Sequence, residues 1–470
     1  MTSINSDFMS QLALRSLGNS SNMMTQAMER LSTGKRVNSA ADDAAGLGIA
    51  TKLKAQVNSL NAATRNATDA LALIGTIDGA LEESSEILLR LRELAVQSSS
   101  DTNTGTDRSF IQDEVNALNN ELNRISSSTE FNGVKLLDGT YNNKSIQIGT
   151  GANQVFNIGV TATDSTTLGA YELESLSEHL GTTVASSGAA IAAATALINV
   201  GANYTVAGSF GSTTVNVAAG DDAKTVAQSF NLAAGTTGIN ASAVTKAQLT
   251  AVAAETWSFT LQGKSSTAST VNATVTNASN LTALKDAINS VSGSTGITAS
   301  LTEDLAGINL VQQDGYDIVF ADASGSGSGS MSIRAANKNG EVGTASGLSG
   351  NAAAVAFGAT TTLDSQAVIG QVSLSSHKAF TVTSGNAANH FATDTTAQAS
   401  ALQTMGAVDI SSQTGASNAL SVIDGAIAMI SEVRSEMGAA ENRLTSTVDN
   451  LSNVSVNTQR SLTSVEDANF

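Results

Sequence analysis

The sequence predicts a mainly α fold in which long N- and C-terminal helices form a coiled-coil-like rod with β-hairpins, with β-rich, α+β modules between the helical ends. Three observations carry this reading. Apolar and small residues between positions 57 and 97 recur every three or four places: Leu60, Ala63, Ala67, Ala70, Ile74, Ile77, Leu81, Ser84, Leu88, Leu91 and Ala95. That is the period of a coiled-coil seam. The chain contains no proline, so long helices can run without kinks. Between the helical ends, VAQSFNLAAGTTGINAS from Val226 and LKDAINSVSGSTGITAS from Leu284 repeat one pattern.

The first helix is expected over residues 5–32. It carries Phe8, Leu12, Leu17, Met24 and Leu31 but has no apolar partner nearby in sequence. The stretch RLSTGKRVNSAADDAAGLGIA, residues 30–50, then stops one helix and starts another. Gly34 suits the C′ position, and Lys35 and Arg36 suit the negative end of the helix before it. Ser39 is expected to cap the next helix with Asp42 in a capping box, placing Asp42 and Asp43 in its first turn. After the 57–97 seam, a further helix is expected from about Asp107, with Ile111, Val115, Leu118, Leu122 and Ile125 inward. Near the C-terminus, Leu420, Ile423, Ile427, Ile430, Met437, Leu444, Val448 and Leu451 repeat the same steps. The economical solution packs both N-terminal seams against the C-terminal one.

Other segments read as strands. Phe131-Asn132-Gly133-Val134 contains an Asn-Gly turn signal, and Ile146, Ile148, Phe156, Ile158 and Val160 alternate with period two, so hairpins are expected here. From 171 to 404 the chain is rich in Ser, Thr, Ala, Gly and Asn, and residues 180–220 hold no charged side chain. Disorder is one reading of such composition. Against it stand the strand-like segments YTVAG at 204, TTVNV at 213, WSFTLQG at 257 and YDIVFA at 316. Each copy of the repeat follows such a segment and reads as helix, Gly-rich turn and new strand, which predicts two folded modules.

Composition narrows the function. A chain of 470 residues holds about two to four domains. With no cysteine there is no disulfide framework or thiolate metal site. A net charge of -18 argues against nucleic-acid binding. The N-terminus lacks a basic region followed by an apolar run, so no cleaved secretory signal is read. The apolar stretch around Ala189–Val200 is too short to span a bilayer, so no membrane insertion is expected. The three histidines, His179, His377 and His390, form no H-E-x-x-H motif, and no G-x-S-x-G elbow is present. GSGSGS at 325–330 lacks the Gly-Lys-Ser/Thr ending of a phosphate loop. Asp42-Asp43 reads as helix N-terminal charge and not as a metal pair. No catalytic, cofactor or metal residues are assigned, and no enzyme is predicted. In LLRLRELAVQ, Arg90 and Leu94 lie four apart, off the strict seam, so Leu94 is expected to be exposed beside a cation.

These residues carry a resemblance. RLSTGKRVNSAADDAAGLGIA resembles the N-terminal signature of bacterial flagellins, as does the run from GALEESSEILLRLRELAVQSSSDTNTGTD to FNGVKLLDG. MGAAENRLTSTVDNLSN followed by SVEDANF resembles the flagellin C-terminal helix. The resemblance covers about residues 1–160 and 415–470.

It implies a structural subunit that self-assembles into a helical homopolymer, the flagellar filament, for motility. It further implies export through the flagellar type III apparatus with an export chaperone and without signal cleavage, and an extracellular location in the filament. Neighbouring hook-associated and cap proteins are implied as partners, with no cofactor. Arg90, Leu94 and Glu114 match the positions at which vertebrate Toll-like receptor 5 docks on the monomer, a surface that also serves assembly; Leu89 departs from the polar residue common there.

The domain plan that follows is 1–40 inner-core assembly helix and connector, 41–170 N-terminal rod, 171–404 variable outer domains, 405–464 C-terminal rod and 465–470 the start of a C-terminal inner-core segment. The family continues with one more amphipathic helix, so the C-terminal assembly helix is expected to be missing here. A hook–filament junction protein and a glycan-binding surface adhesin are the alternative classes. The full RELAVQ and FNGVKLL segments favour flagellin over the first, and the scarcity of aromatics weighs against the second.

Overall fold

The computed structural model describes residues 4–175, 182–185, 202–218, 220–265, 267–302, 304–325, 330–342, 355–357, 365–385, 391 and 396–469. The Ala189–Val200 stretch, most of GSGSGS, His179 and His390 lie outside them. The helices are α1 (Ile4–Thr33), α2 (Ala44–Ser98), α3 (Gly105–Ser128), α4 (Ala223–Leu232), α5 (Ala234–Thr237), α6 (Thr282–Ser290), α7 (Ser292–Thr295) and α8 (Gln413–Glu466). The chain forms two compact units. The first takes Met1–Glu82, Ser126–Ala162 and Glu432–Phe470, and the second takes Glu83–Ile125 and Thr163–Ser431.

In the first unit, α2 buries Leu60, Ala63, Ala67, Ala70, Ile74, Ile77 and Leu81, while α8 buries Met437, Leu444 and Leu462. Polar ties flank the two helices: Arg434 Nε donates to Asp78 at 2.8 Å, and Ser455 Oγ to Asn61 at 2.9 Å. Strands β1 (Glu130–Phe131) and β2 (Val134–Lys135) meet at Asn132 and Gly133, with φ of 50° and 77°. Both central residues are left-handed, as a type I′ turn requires, and Asn-Gly is the pair that tolerates this best. Strands β3 (Lys144–Gln147) and β4 (Val155–Ile158) pair Ile146 with Phe156. Phe156 and Ile158 are buried while Val155 and Asn157 face solvent, and the Arg443 guanidinium lies 4.9 Å from the Phe156 ring centroid.

The helical part of the second unit holds the rest of the seam. Ser84, Leu88, Leu91 and Ala95 of α2 are buried, as are Ile111, Val115, Leu122 and Ile125 of α3 and Ile423, Ala426 and Ile430 of α8. Ile427, placed in the seam by sequence, is half-buried. Leu118 is also half-buried, and its neighbour Asn119 is the buried one. The cause is the segment around Met405–Ala407, whose backbone needs partners: Asn119 Nδ2 donates to Met405 O at 3.1 Å, Ser98 Oγ to Ile410 O at 2.6 Å, and Gln112 Oε1 accepts from Ile410 N at 2.7 Å. Helix α3 starts two residues before the expected Asp107. Thr104 caps it, its Oγ1 accepting from Asp107 N while Asp107 Oδ2 accepts from Thr104 N at 2.9 Å.

The strands of this unit are β5 (Gly169–Glu174), β6 (Thr182–Ala185), β7 (Ala202–Ala207), β8 (Ser212–Val217), β9 (Asn240–Thr250), β10 (Thr256–Gln262), β11 (Ser269–Thr274), β12 (Ile297–Leu301), β13 (Ile308–Gln312), β14 (Ile318–Gly325), β15 (Met331–Ala336), β16 (Val355–Phe357), β17 (Ser365–Val368), β18 (Gln371–Ser376), β19 (Thr381–Ser384), β20 (Gln398–Ala399) and β21 (Ala401–Thr404). They form a four-stranded sheet β20-β19-β7-β8, a five-stranded sheet β11-β10-β14-β17-β6, and an eight-stranded sheet along β12-β13-β9-β18-β5-β21, with β15 also on β9 and β16 on β15.

The sequence repeat is a structural repeat. One copy runs β7-β8-α4-α5-β9 and the other β10-β11-α6-α7-β12. Gly238 and Gly296 end the helical turns with φ of 74° and 69°, where a side chain would be strained. Asn231 brackets the backbone of Ala241 at 2.7 and 2.8 Å, and Asn289 brackets that of Ala299 at 2.8 and 2.9 Å. Each copy has its own core. Tyr204, Val226, Phe230 and Phe391 build the first, and Trp257, Phe259, Leu284, Ile288 and Phe320 the second. These are folded modules and not disordered polar tracts.

Two outcomes follow. Asn289→Ala strips both side-chain bonds from the Ala299 backbone and should destabilise the second module by about 1–3 kcal/mol. The single tryptophan, Trp257, is fully buried there, so its fluorescence in a denaturant titration reads this directly.

The second outcome concerns Asp317. Its Oδ1 is sealed from solvent without a hydrogen-bond partner. Burial first, then the nearby Asp222, push its pKa up to about 8, against a lowering contribution from the Gly370 backbone N–H. A raised folded-state pKa means the stabilising proton is fully held below the ordinary carboxyl pKa of 3.8 and is lost as pH rises through about 8. The second unit should therefore melt at progressively lower temperature across that window. Asp317→Asn should flatten the profile.

Candidate functional site

Helix α1 presents an apolar surface to solvent. Phe8, Leu12, Leu17, Met24 and Leu31 are 63%, 51%, 69%, 57% and 69% exposed, and Met9, Leu14, Met23 and Met28 are exposed with them. Large apolar side chains in such continuity mark an interaction surface. The helix is tied to its own chain at its C-terminal end, where Gln26 Nε2 donates to Asp42 Oδ1 at 2.6 Å and Arg30 stands 4.0 Å from the same carboxylate.

The connector after α1 does more than turn the chain. Gly34 ends the helix with φ of 73°, its N–H donating to Arg30 O at 2.9 Å. The following residues then pair with the far end of α8. Ala468 N donates to Gly34 O at 2.9 Å, Arg36 N to Glu466 O at 2.7 Å and Arg36 Nη2 to Val465 O at 2.7 Å, while Lys35 Nζ is paired with the Glu466 carboxylate. Arg36 thus satisfies two orphan carbonyls at the C-terminus of α8, a helix remote in sequence, and Lys35 adds a second cation there, where positive charge is favoured. The hydrogen bond and charge of Glu466 raise the Lys35 pKa.

The expected capping box at Ser39 is displaced. Helix α2 begins at Ala44, and its cap is Asp43, whose Oδ1 accepts from Gly46 N at 2.8 Å. Asp42 instead closes the turn before it, Oδ2 accepting from Ser39 N at 2.9 Å and Ser39 Oγ at 3.0 Å. Neither aspartate lies in the helix's first turn. The Gln26 amide and then these Ser39 bonds hold the Asp42 carboxyl below its usual pKa. Both aspartates have local backbone work. Among the described residues, no group of three or more His, Cys, Asp or Glu is placed to hold a metal.

On α2 and α3, Arg90 and Glu114 come together. Arg90 Nε and Nη2 donate to Glu114 Oε1 at 2.9 and 2.8 Å, and Nη1 to Glu93 Oε2 at 2.5 Å, all three side chains remaining solvent-accessible. Leu94 does not join them on the surface: it is 1% exposed, which corrects the sequence reading. Helical residues turn by roughly 100° each, so Leu88, Ala95, Leu91 and Leu94 span one arc of about 120°. Arg90 borders that arc on the α3 side. Arg92 borders it on the α8 side, with Nε donating to Asp424 Oδ1 at 2.6 Å. A helix flanked by two others buries a wider stripe than a strict seam, and Leu94 falls inside it. The apolar residues left outside are Leu89, 54% exposed, and Val96, 48% exposed.

Comparison with known proteins gives concordant matches. Residues 4–142 match the bacterial flagellin N-terminal helical region, 420–470 the bacterial flagellin C-terminal helical region, and 258–314, the second module copy, the flagellin hook IN motif. The B-type flagellin of Pseudomonas aeruginosa is 34% identical over 470 residues, covering 99% of this chain and 92% of that protein. A flagellin of Clostridium tyrobutyricum is 52% identical over 158 residues, covering 32% of this chain and 42% of that protein. Among solved structures, FliC from Burkholderia pseudomallei aligns at 18% identity and a TM-score of 0.32, over 79% of this chain and 99% of that one. With matches to both helical regions and a relative aligned from end to end, the chain belongs to the bacterial flagellins, a structural family and not a family of enzymes.

Proposed function

We propose that this chain polymerises into the flagellar filament for motility, using the exposed apolar side chains of α1 as its principal assembly surface. The carrying observation is the row of exposed large side chains from Phe8 to Leu31 on an ordered helix. Burying a Leu or Met side chain contributes about 1.5–3 kcal/mol, so packing these side chains between subunits supplies a strong drive to assemble. Residues 1–40 form the inner core, 41–170 and 405–464 the surrounding rod, and 171–404 the outer domains, with 465–470 leading toward the core again. The subunit is exported through the flagellar type III apparatus with its chaperone, without signal cleavage, and adds to a filament bounded by hook-associated and cap proteins. No helix among the described residues is long and apolar enough to cross a membrane, which is compatible with a subunit that ends outside the cell.

The monomer's recognition by Toll-like receptor 5 belongs to the same reading. The Arg90–Glu114 pair forms the polar centre of the docking surface. Leu94 supports it from beneath, so its role is to hold Arg90's helix against α3. An Arg in a desolvated interface centre is a typical hot spot.

Two experiments test these readings. Leu12→Glu combined with Leu17→Glu should abolish filaments in electron micrographs while leaving the Trp257 unfolding transition unchanged; filaments of normal yield would remove α1 from assembly. Arg90→Ala should weaken receptor binding roughly thirtyfold or more at unchanged melting temperature. Leu88→Ala, at a fully buried position, should instead cost stability, by about 2–5 kcal/mol. Parental affinity for Arg90→Ala would restrict this surface to contacts between subunits.

A further inference from the structure

A cleft of about 650 Å³ opens in the second unit, where one face of β9 and β18 meets the first turns of α8. Its size suits a small molecule. Its walls are polar for a reason that strand parity supplies. Val372 and Leu374 of β18 point into the first module's core, so Ser373 and Ser375 point the opposite way, into the cleft. Ser373 is paired with Ser242 of β9, which also lines it. The first turns of α8 close the other side with Thr414, Ser417 and Asn418. No aromatic side chain takes part, so nothing here offers a stacking platform to a planar or apolar ligand.

Four charged residues line the cleft: Glu172, Lys246, Lys338 and Asp424. Lys338 Nζ is held by Glu172 at 2.7 Å and Glu174 at 2.6 Å, and Glu172 also accepts from Ser421 Oγ at 2.6 Å. Asp424 is paired with Arg92. Lys246 differs. It is half-buried on β9, its Nζ donates to the neutral Lys338 carbonyl at 2.6 Å, and no ion pair neutralises it among the described residues. Burial holds its pKa below the usual lysine value, the sign of an ammonium short of compensating charge.

We propose that this cleft binds a sugar acid, with a single carboxylate on the Lys246 ammonium and hydroxyl groups on the serine, threonine and asparagine side chains. Lys246 is the lining charge without an ion pair among the described residues, which suits a monoanion, and the Glu172 and Asp424 carboxylates on the same walls disfavour a phosphate dianion. A wall of hydroxyl and amide groups matches a polyol better than a bare carboxylate. The proposal stands independently of filament assembly and of receptor recognition.

The test is titration of the full chain with D-glucuronate, D-glucose and acetate, followed by saturation-transfer NMR and calorimetry. Glucuronate should bind with a Kd on the order of 1 mM, and glucose and acetate at least about tenfold more weakly. Lys246→Met keeps the aliphatic stem and should erase the preference for glucuronate over glucose, with the Trp257 unfolding transition confirming the fold. Ser373→Ala should weaken glucuronate and leave acetate unchanged. Equal binding of glucose, equal binding of acetate, parental affinity in Lys246→Met, or no glucuronate binding would each overturn the proposal.

Discussion

The burial of α2's apolar stripe is the constraint on which the rest depends, because one of its covers lies at the other end of the chain. Arg92 meets Asp424, Asp78 meets Arg434, and Lys35 meets Glu466. Everything between α3 and α8 is therefore a closed excursion from one set of helices. Loop closure entropy grows slowly, by only about 0.6 kcal/mol for each doubling of loop length. A long excursion is thus thermodynamically cheap once the helical stripes have met. What the excursion contains is set by its own cores, one around Phe230 and one around Trp257.

The seam was legible because its signal is strong and redundant. Every position from Leu60 to Ala95 that steps by three and four is buried, including the polar Ser84. Leu94 was not legible, because a strict seam assumes one partner, whereas this segment has α3 on one side and α8 on the other. Asn119 was missed for a related reason. Periodicity favours Leu118, but the carbonyl of Met405 needed a donor, and no sequence signal says that a distant segment will pass there. At the connector, the chemistry of each residue was readable while its address was not. Gly34 stops a helix as expected. Lys35 and Arg36 serve the end of α8, a pairing that spacing alone could not reveal.

The two modules show how one pattern is kept by different side chains. The asparagine that brackets a strand backbone and the left-handed glycine recur, since both answer the same backbone requirement. Core residues change freely: Phe230 stands where Ile288 stands in the second copy, and Val226 where Leu284 does. Surface residues change more, with Leu232, 89% exposed, opposite Ser290. Burial tolerates exchanges of similar bulk when the whole core adjusts, whereas a backbone amide has few substitutes for an Asn.

Strand β9 ends the first copy yet lies inside the sheet of the second. It pairs with β13 on one side and with β15 and β18 on the other. Excising the first copy alone would strip partners from four strands, β13, β15 and β18 through β9 and β19 through β7, and leave open edges, the kind that recruit other chains. The two repeats, although separable as text, are not separable as heritable parts. Crossovers that exchange this region between genes should break outside the pair, so the smallest cassette that can be gained, lost or swapped is the doublet.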